Sequence, residues 1–336
     1  MMTLQEIEAA CDAGNLPDSS RHSQEAPSLP LRQIFYPLGF PAEVRTNSSE
    51  VLELMNDLWG EFKEQHNTEP IISEVHVVES GDSTECPPAP VFRFMMPLFL
   101  AVANGDNYSV VDLERKTTRI SISRDTLRYK LYAKYFLLGT PGCCISANYA
   151  TPVHAGCVAL NGSGVLLCGD SGAGKSTLSY ACARAGWTYV TDDGSYLLNG
   201  GTRRIVTGDC YKVRLRPTAA ELFPEVVGLE ITPRAAGKPS VELPTAPMRN
   251  IVCAQTMEVN FIVFLNRFSG EAPKLVPFRK EVAREFMLQD LLGLPETRVE
   301  QRAAIEELLR AEVFELRCND LEWAVKRLET LIRERR

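Results

Sequence analysis

The sequence predicts a mixed α/β fold, with a mixed core in its second half and a smaller α+β domain before it. Three observations carry this prediction. Apolar runs of strand length alternate with helical patterns from about residue 148 onward. One such run, 164–168, leads directly into a glycine-rich segment. A good helix former follows at 177–185, and Gly186 is a natural residue to end that helix. We therefore expect a strand, a glycine loop and a helix in that order.

The glycine-rich segment matches the complete phosphate-loop pattern G-x-x-x-x-G-K-[ST] over the residues Gly169, Asp170, Ser171, Gly172, Ala173, Gly174, Lys175 and Ser176. In this pattern backbone N–H groups turn inward onto phosphate oxygens, and the helix N-terminus adds its positive end. Lys175 would reach the β- and γ-phosphates, and the Ser176 hydroxyl would bind Mg²⁺. Thr177 completes the expected nucleotide contacts. The pattern predicts binding of ATP with Mg²⁺, although it does not by itself name a reaction.

Composition excludes several classes of protein. A net charge of −7 over 336 residues, without an internal cluster of Lys and Arg, argues against a nucleic-acid partner. No segment approaches the roughly 20 apolar residues of a membrane helix, and the start of the chain does not resemble a secretory signal. We expect a cytoplasmic location. The ten cysteines lack a C-x-x-C spacing, so we interpret them as structural thiols.

The chain divides, on this interpretation, into a mobile leader at 1–30, an α+β domain at 31–145 and a catalytic domain at 146–336. In the α+β domain we expect a helix after Ser48 and Ser49 that extends to Phe62. A strand at 71–78, a hairpin around 104–107, an edge or half-buried strand at 118–123 and a helix at 125–138 should follow.

In the catalytic domain a second hairpin, 154–160 turning at 161–164, should feed the glycine loop. The later expected strands are 187–191, 204–207, 213–215, 241–243, 258–265, 274–276 and 313–317. The expected helices are 279–292, 298–311 and a final helix to about residue 334 that is capped by Asn319 or Asp320.

An acidic pair, Asp192 and Asp193, lies seventeen residues beyond Lys175 at the end of an apolar strand. One carboxylate there can hold Mg²⁺ while the other accepts a proton from an attacking hydroxyl. The alternative is a solvated turn. His154 begins the strand that returns to the loop, where it can serve proton transfer near the γ-phosphate or the base carboxylate, or be purely structural.

Three cations downstream of the acidic pair are candidate contacts for phosphate or for an acidic substrate. They are Arg214, Arg216 and Lys238. Side chains of this kind are more often partners in surface salt bridges, and this alternative stays open.

The segment from His154 through the glycine loop to Asp192 and Asp193 resembles the catalytic domain of HPr kinase/phosphorylase and its wider kinase relatives. The resemblance implies a P-loop core like that of HPr kinase and phosphoenolpyruvate carboxykinase, a mixed sheet with flanking helices. It also implies that Lys175 and Ser176 handle phosphates and metal. Asp192 would be the base, assisted by His154, and Asp193 the metal partner. HPr kinases assemble as hexamers, which leaves a homo-oligomer open for this chain.

The chain departs from that family at two points. Thr177 stands where HPr kinases usually have Glu, and their second signature segment is not found. Neither HPr as substrate nor phosphorylase activity therefore follows from the resemblance, and kinases of peptides and small molecules look closer. We expect an ATP- and Mg²⁺-dependent kinase that transfers the γ-phosphoryl group to a hydroxyl of a protein, a peptide or a small metabolite. The alternatives are a nucleotide-binding regulatory protein and a plain P-loop NTPase.

Overall fold

The computed structural model describes residues 28–79, 85–232, 238–245, 248, 250–267, 272–289, 291 and 293–335, together with Gln5 and Ala9, which are helical. The leader expected over 1–30 lies almost entirely outside the described residues. So do Cys11 and parts of the loop expected around residues 80–90.

The first part of the described chain forms a seven-stranded sheet. Its strands are β1 (Leu31–Phe35), β2 (Ala42–Thr46), β3 (Ile71–Val78), β4 (Val91–Met95), β5 (Leu98–Val102), β6 (Tyr108–Asp112) and β7 (Thr117–Ser123). They lie in the order β1-β2-β3-β7-β6-β5-β4. β3 is parallel to both β2 and β7, and the remaining pairs are antiparallel.

Two expectations for this sheet hold and one is wrong. β3 has the expected bounds, and β5 and β6 form the hairpin expected around 104–107. β7 was expected at an edge or half buried, but it lies between β3 and β6 and is mostly buried. The sequence analysis did not find β1 and β2, and β1 exposes most of its side chains. The sheet is therefore wider than the alternating patterns indicate.

The helices of this part are shorter and more broken than the hydrophobic pattern predicts. Helix α1 (Ser49–Trp59) begins after Ser48, as expected, although it ends before Phe62. The single helix expected at 125–138 is broken. It consists of α2 (Arg124–Leu127), α3 (Lys130–Tyr132) and a π-helical turn, Ala133–Leu138. Tyr129 causes the break because its backbone angles, φ −88° and ψ 66°, are not helical.

Helix α4 (Gly142–Asn148) leads into the second part of the chain. Its strands are β8 (Ala150–Leu160), β9 (Ser163–Cys168), β10 (Thr188–Thr191), β11 (Gly194–Leu198), β12 (Ile205–Thr207), β13 (Lys212–Leu215), β14 (Ile231–Thr232), β15 (Ser240–Pro244), β16 (Val252–Cys253), β17 (Thr256–Asn266), β18 (Lys274–Pro277) and β19 (Glu312–Arg317). Its helices are α5 (Lys175–Arg184), α6 (Lys280–Leu288), α7 (Pro295–Leu308) and α8 (Leu321–Glu334), with 3₁₀ turns at Pro217–Glu221 and Pro224–Val226.

Nine of these strands form one mixed sheet, and β13, β15 and β14 form a small antiparallel one. The hairpin of β8 and β9 turns through Asn161 and Gly162, whose φ values of 53° and 82° suit a two-residue turn. β9 is parallel to β17, and β17 to β19. β8 is antiparallel to both β9 and β10, so β10 runs in the same direction as β9. The carboxyl ends of β9, β10, β17 and β19 therefore point the same way.

Helices cover both faces of this sheet. Val165 and Leu167 of β9 pack in one buried cluster with α5 and α8, and Leu166 and Cys168 pack in another with α6 and α7. This alternation is what a strand buried on both faces requires. The chain is thus a mixed α/β protein, as expected. The division at residues 145 and 146 stays a prediction, since several contacts join residues on either side of it.

Two further observations concern expected absences. Within the described part of the chain no helix has the length and apolar character needed to cross a bilayer. The described cysteines are free thiols. Cys157, Cys168 and Cys182 are fully buried, and burial raises the pKa of each thiol. These three behave as small core residues, in agreement with the structural interpretation.

Candidate functional site

The glycine loop connects β9 to α5, in the order that the sequence predicts. Gly174 occupies the cap position of α5 with φ 103°, a left-handed conformation that favours glycine. Gly169 has φ 143°, and a side chain there would also place a Cβ 3.0 Å from the Cβ of Ala173. The loop therefore needs glycine at both ends, and it delivers the chain to the N-terminus of a ten-residue helix.

Lys175 is the first residue of α5, and only 4% of it is exposed. Its Nζ donates a hydrogen bond to the carbonyl oxygen of Gly169 at 2.7 Å and lies 3.6 Å from Oδ1 of Asp193. Burial lowers the pKa of the ammonium, and the nearby Asp193 carboxylate opposes this shift in part. The result is a cation held against the loop itself.

Asp192 lies in the turn between β10 and β11 and is 7% exposed. Its Oδ1 accepts a hydrogen bond from Tyr189 Oη at 3.2 Å, and its Oδ2 accepts one from the backbone N–H of Arg214 at 3.4 Å. Burial raises the pKa of Asp192 to about 6, although the neighbouring Ser176 hydroxyl opposes this shift. Asp192 is therefore a buried carboxylate beside the loop serine.

Asp193 faces the opposite way and lines an open cleft. One third of its side chain is exposed, and its Oδ1 lies 3.5 Å from Nε2 of His154. His154 belongs to β8, where it pairs with Gly194 of β11, so the register of these two strands brings it to the acidic turn. The sequence predicts a pair of Asp192 and His154. The structure instead pairs His154 with Asp193, which corrects that expectation.

The three candidate cations have different surroundings. The guanidinium of Arg214 stacks on Tyr135, and its Nε donates to Glu242 at 3.1 Å, so it is largely engaged within the protein. Arg216 is exposed, and its Nη2 lies 4.0 Å from the point that a Cβ would occupy if Gly172 carried a side chain. Lys238 Nζ donates to Ser171 Oγ at 3.0 Å. Arg216 and Lys238 thus lie at the glycine loop, while Arg214 is held beside it.

These groups share one cleft with a volume of about 1150 Å³. The loop, Asp193, His154 and the three cations line it, as do residues that follow β17 and β19. Ligand sites in open α/β sheets lie beyond the carboxyl ends of the strands, and this cleft has that position. The structure therefore brings the predicted site residues together, with Asp192 just beneath the cleft surface.

Several residues of the site are missed by the sequence analysis. Tyr189 lies on β10, three residues before Asp192, and its hydroxyl donates a hydrogen bond to the Asp192 carboxylate. Tyr135 and Glu242 hold Arg214 from distant parts of the chain, and no sequence pattern indicates this. Gly156 of β8 lies where a Cβ would be 2.4 Å from Ser179 Oγ and 2.9 Å from the carbonyl oxygen of Asp192. A lone glycine inside a predicted strand is the one available signal, because it often marks a close approach.

The donor set fits Mg²⁺. The described residues contain no group of three or more His, Cys, Asp and Glu side chains that could hold a metal. Mg²⁺ at a nucleotide site needs only one or two protein oxygens, since substrate phosphates and water supply the others. Ser176 and Asp192, which are neighbours beside the loop, offer such oxygens.

Comparisons with known proteins give a weak structural match. No protein-family model and no curated protein matches the chain. Among solved structures, the Hpr(Ser) kinase/phosphatase from Coxiella burnetii matches with 14% sequence identity and a TM-score of 0.31. The match covers 55% of this chain and 95% of that one.

Proposed function

We propose that the chain is a phosphotransferase that binds a nucleoside triphosphate with Mg²⁺ and transfers the γ-phosphoryl group to a hydroxyl acceptor. One observation carries this proposal above the others. The carboxylate of Asp193 lies 3.6 Å from the Lys175 ammonium and 3.5 Å from the His154 ring, at the mouth of the glycine loop. A phosphate cradle beside a carboxylate and an imidazole is an arrangement for moving a proton during phosphoryl transfer.

The loop and the start of α5 would bind the triphosphate. The first N–H groups of a helix have no intrahelical partner, and they point toward the ligand together with the positive end of the helix. Lys175 adds a fixed ammonium that stabilises the negative charge of the transferring group. Exposed Arg216 and Lys238, which both lie at the loop, would contact phosphate oxygens or an acidic acceptor.

The geometry supports an exchange of the roles that the sequence resemblance implies for the two aspartates. Asp192 is buried beside the Ser176 hydroxyl, so it would hold Mg²⁺ together with that serine. The ion supplies charge neutralisation on the phosphates when it is bound. Asp193 is accessible in the cleft. It would accept the proton of the acceptor hydroxyl while the oxygen of that hydroxyl attacks phosphorus. His154 would orient Asp193 and share the proton.

A plain NTPase is the second candidate, because the pair of Asp193 and His154 is equally able to activate water. A kinase and an NTPase differ in where the γ-phosphate ends. Incubation with γ-labelled ATP, Mg²⁺, a metabolite library and a protein lysate distinguishes them. Label on an organic acceptor or a protein supports the kinase, whereas label found only as free phosphate supports the NTPase.

The two aspartates give a matched pair of variants for the same assay. Asp193→Asn should abolish transfer and leave Mg²⁺-dependent nucleotide binding largely intact. Asp192→Asn should weaken the dependence of binding on Mg²⁺. Asp106→Asn, in an exposed hairpin turn, is the control and should change neither quantity. Full transfer by Asp193→Asn would contradict its role as the base.

A further inference from the structure

The seven-stranded sheet has one face that none of the described helices covers. Its strand registers place one row of residues across the sheet, namely Arg93, Leu100, Val110, Arg119, Glu74 and Arg45. Residues two positions before and after each of these point to the same side, which we call the open face. Apart from Ser121, none of the residues in these three rows is buried. The opposite face carries Val44, Val75 and Val111, which pack in buried clusters with α1 and α4.

Part of the open face is apolar where polar residues are expected. β4, β5 and β6 are antiparallel, and the solvated face of an antiparallel sheet normally carries polar side chains. The open face of these strands instead carries six apolar residues, namely Val91, Met95, Leu98, Leu100, Val102 and Val110. None of the apolar clusters formed by the described residues contains any of the six. We call them the apolar patch. A contiguous exposed patch of this kind marks an interaction surface.

The charges of the open face nearly cancel. Its acidic and basic side chains are Arg93 and Asp112, Arg119 and Glu74, and Arg45 and Glu43, with Arg32 at the far edge. Two of these pairs are in contact. Arg119 Nε lies 3.2 Å from Glu74 Oε2, and Arg45 Nε lies 2.7 Å from Glu43 Oε1. The face therefore has no strong field of one sign, so it favours neither a nucleic acid nor a highly charged peptide.

The size of the open face fits a second copy of the same chain. The apolar patch alone spans three strands and about 240 Å², well below the roughly 800 Å² that each partner of a stable interface buries. The whole face spans seven strands and about 600 Å² before side-chain relief is added. A flat face of this size can pack on another sheet. A two-fold axis that crosses the strands would place each strand opposite its own copy, so that the two apolar patches meet.

We propose that the open face binds the open face of a second copy of this chain, so that the protein forms a two-fold dimer through its first sheet. The apolar patch would form the centre of this interface, and the paired charges would lie toward its rim. The inference is independent of the proposed function, because no residue of the open face lines the cleft.

Sedimentation equilibrium of the full chain tests the proposal at concentrations up to about 100 μM, since interfaces of this size reach at least micromolar affinity. Leu100→Lys, in the middle of the apolar patch, should raise the dissociation constant of the dimer by about 100-fold or more. The effect is large because a two-fold interface loses each contact twice. Met95→Lys, on the edge strand β4, should raise it by about ten-fold. Val299→Lys is the control, since Val299 is 69% exposed on α7 and should leave the dissociation constant unchanged.

Circular dichroism of each variant separates loss of association from loss of folding. If Leu100→Lys does not fold, Met95→Lys decides the test, because Met95 is 40% exposed and lies on an edge strand. An unaltered chain that stays monomeric at the highest concentration would overturn the proposal. So would a dimer whose dissociation constant is the same in the folded lysine variants of the patch.

Discussion

The guanidinium carbon of Arg214 lies 4.1 Å from the centre of the Tyr135 ring, so the first part of the chain stacks directly on a residue of the cleft. Tyr135 Oη also donates a hydrogen bond to Glu242, and Glu242 accepts another from Arg214. Burial raises the pKa of Glu242, but Lys212 and its other partners lower it more, so Glu242 is a charged anchor. The backbone N–H of Arg214 donates a hydrogen bond to Asp192. Because Tyr135 holds Arg214 in place, it supports the site although it does not line the cleft.

We expect Tyr135→Leu to lower the free energy of unfolding by about 1–2 kcal/mol, because it removes a stacked cation–π contact and a hydrogen bond to the partly buried carboxylate of Glu242. Turnover should fall as well, since the strand that contacts Asp192 loses its support. Tyr135→Phe is the matched variant because it keeps the ring over Arg214 and should retain more of the stability. Urea denaturation measures the difference, and equal losses in the two variants would contradict a role for stacking.

Asp192 predicts a dependence of stability on pH. Burial raises its pKa to about 6, above its usual value near 4 in an unfolded chain. Between these values the folded protein binds more protons than the unfolded chain, so this residue costs stability progressively as pH rises from about 4 to about 6. Asp192→Asn should remove that cost and raise the free energy of unfolding at pH 7 by about 3 kcal/mol, measured without Mg²⁺.

The comparison needs both proteins across the pH range. Their free energies of unfolding should converge near pH 4 and diverge by pH 7. Val227→Ser is the control, because Val227 is exposed, does not line the cleft and carries no titratable group, so the difference between pH 4 and pH 7 should stay unaltered. Parallel curves for the unaltered chain and Asp192→Asn would show that burial does not raise this pKa.

Local chemistry explains which parts of the site could be predicted from the sequence. The pattern of strand, glycine loop and helix depends on residues that are neighbours along the chain, and the structure has it in the predicted order. The difference in burial between Asp192 and Asp193 could not be predicted in this way. It depends on which carboxylate the turn after β10 buries, and therefore on Tyr189 and on the backbone of β13.

The same distinction applies to the fold. β3 and the two hairpins follow from alternating side chains and from turn residues such as Asn161 and Gly162. β1 and β11 are among the strands that the sequence analysis missed. β1 exposes most of its side chains, and β11 is a short strand directly after the acidic turn. Both are held by pairing with neighbouring strands, which no short window of sequence reveals.

Lys175→Met tests the cation of the glycine loop. The methionine keeps the apolar stem in its buried position but removes the ammonium that lies on the loop and near Asp193. Turnover of the triphosphate should fall by about 100-fold or more, the range found when one fixed charge or donor is lost from a transition state. Lys326→Met, in an exposed pair with Glu322 on α8, is the control. Circular dichroism should show both variants folded, and an active Lys175→Met would contradict triphosphate chemistry at this loop.

Gly156→Ala tests whether the close approach of β8 to α5 holds the site in place. The added Cβ would lie 2.4 Å from Ser179 Oγ and 2.9 Å from the carbonyl oxygen of Asp192, so the helix or the acidic turn must move. Overpacking of this kind costs about 1–3 kcal/mol of stability, and a displaced acidic turn should also reduce turnover. Gly142→Ala is the matched control, because a Cβ there meets no atom within 4 Å. If thermal unfolding and turnover respond alike in the two variants, the contact of Gly156 does not position the site.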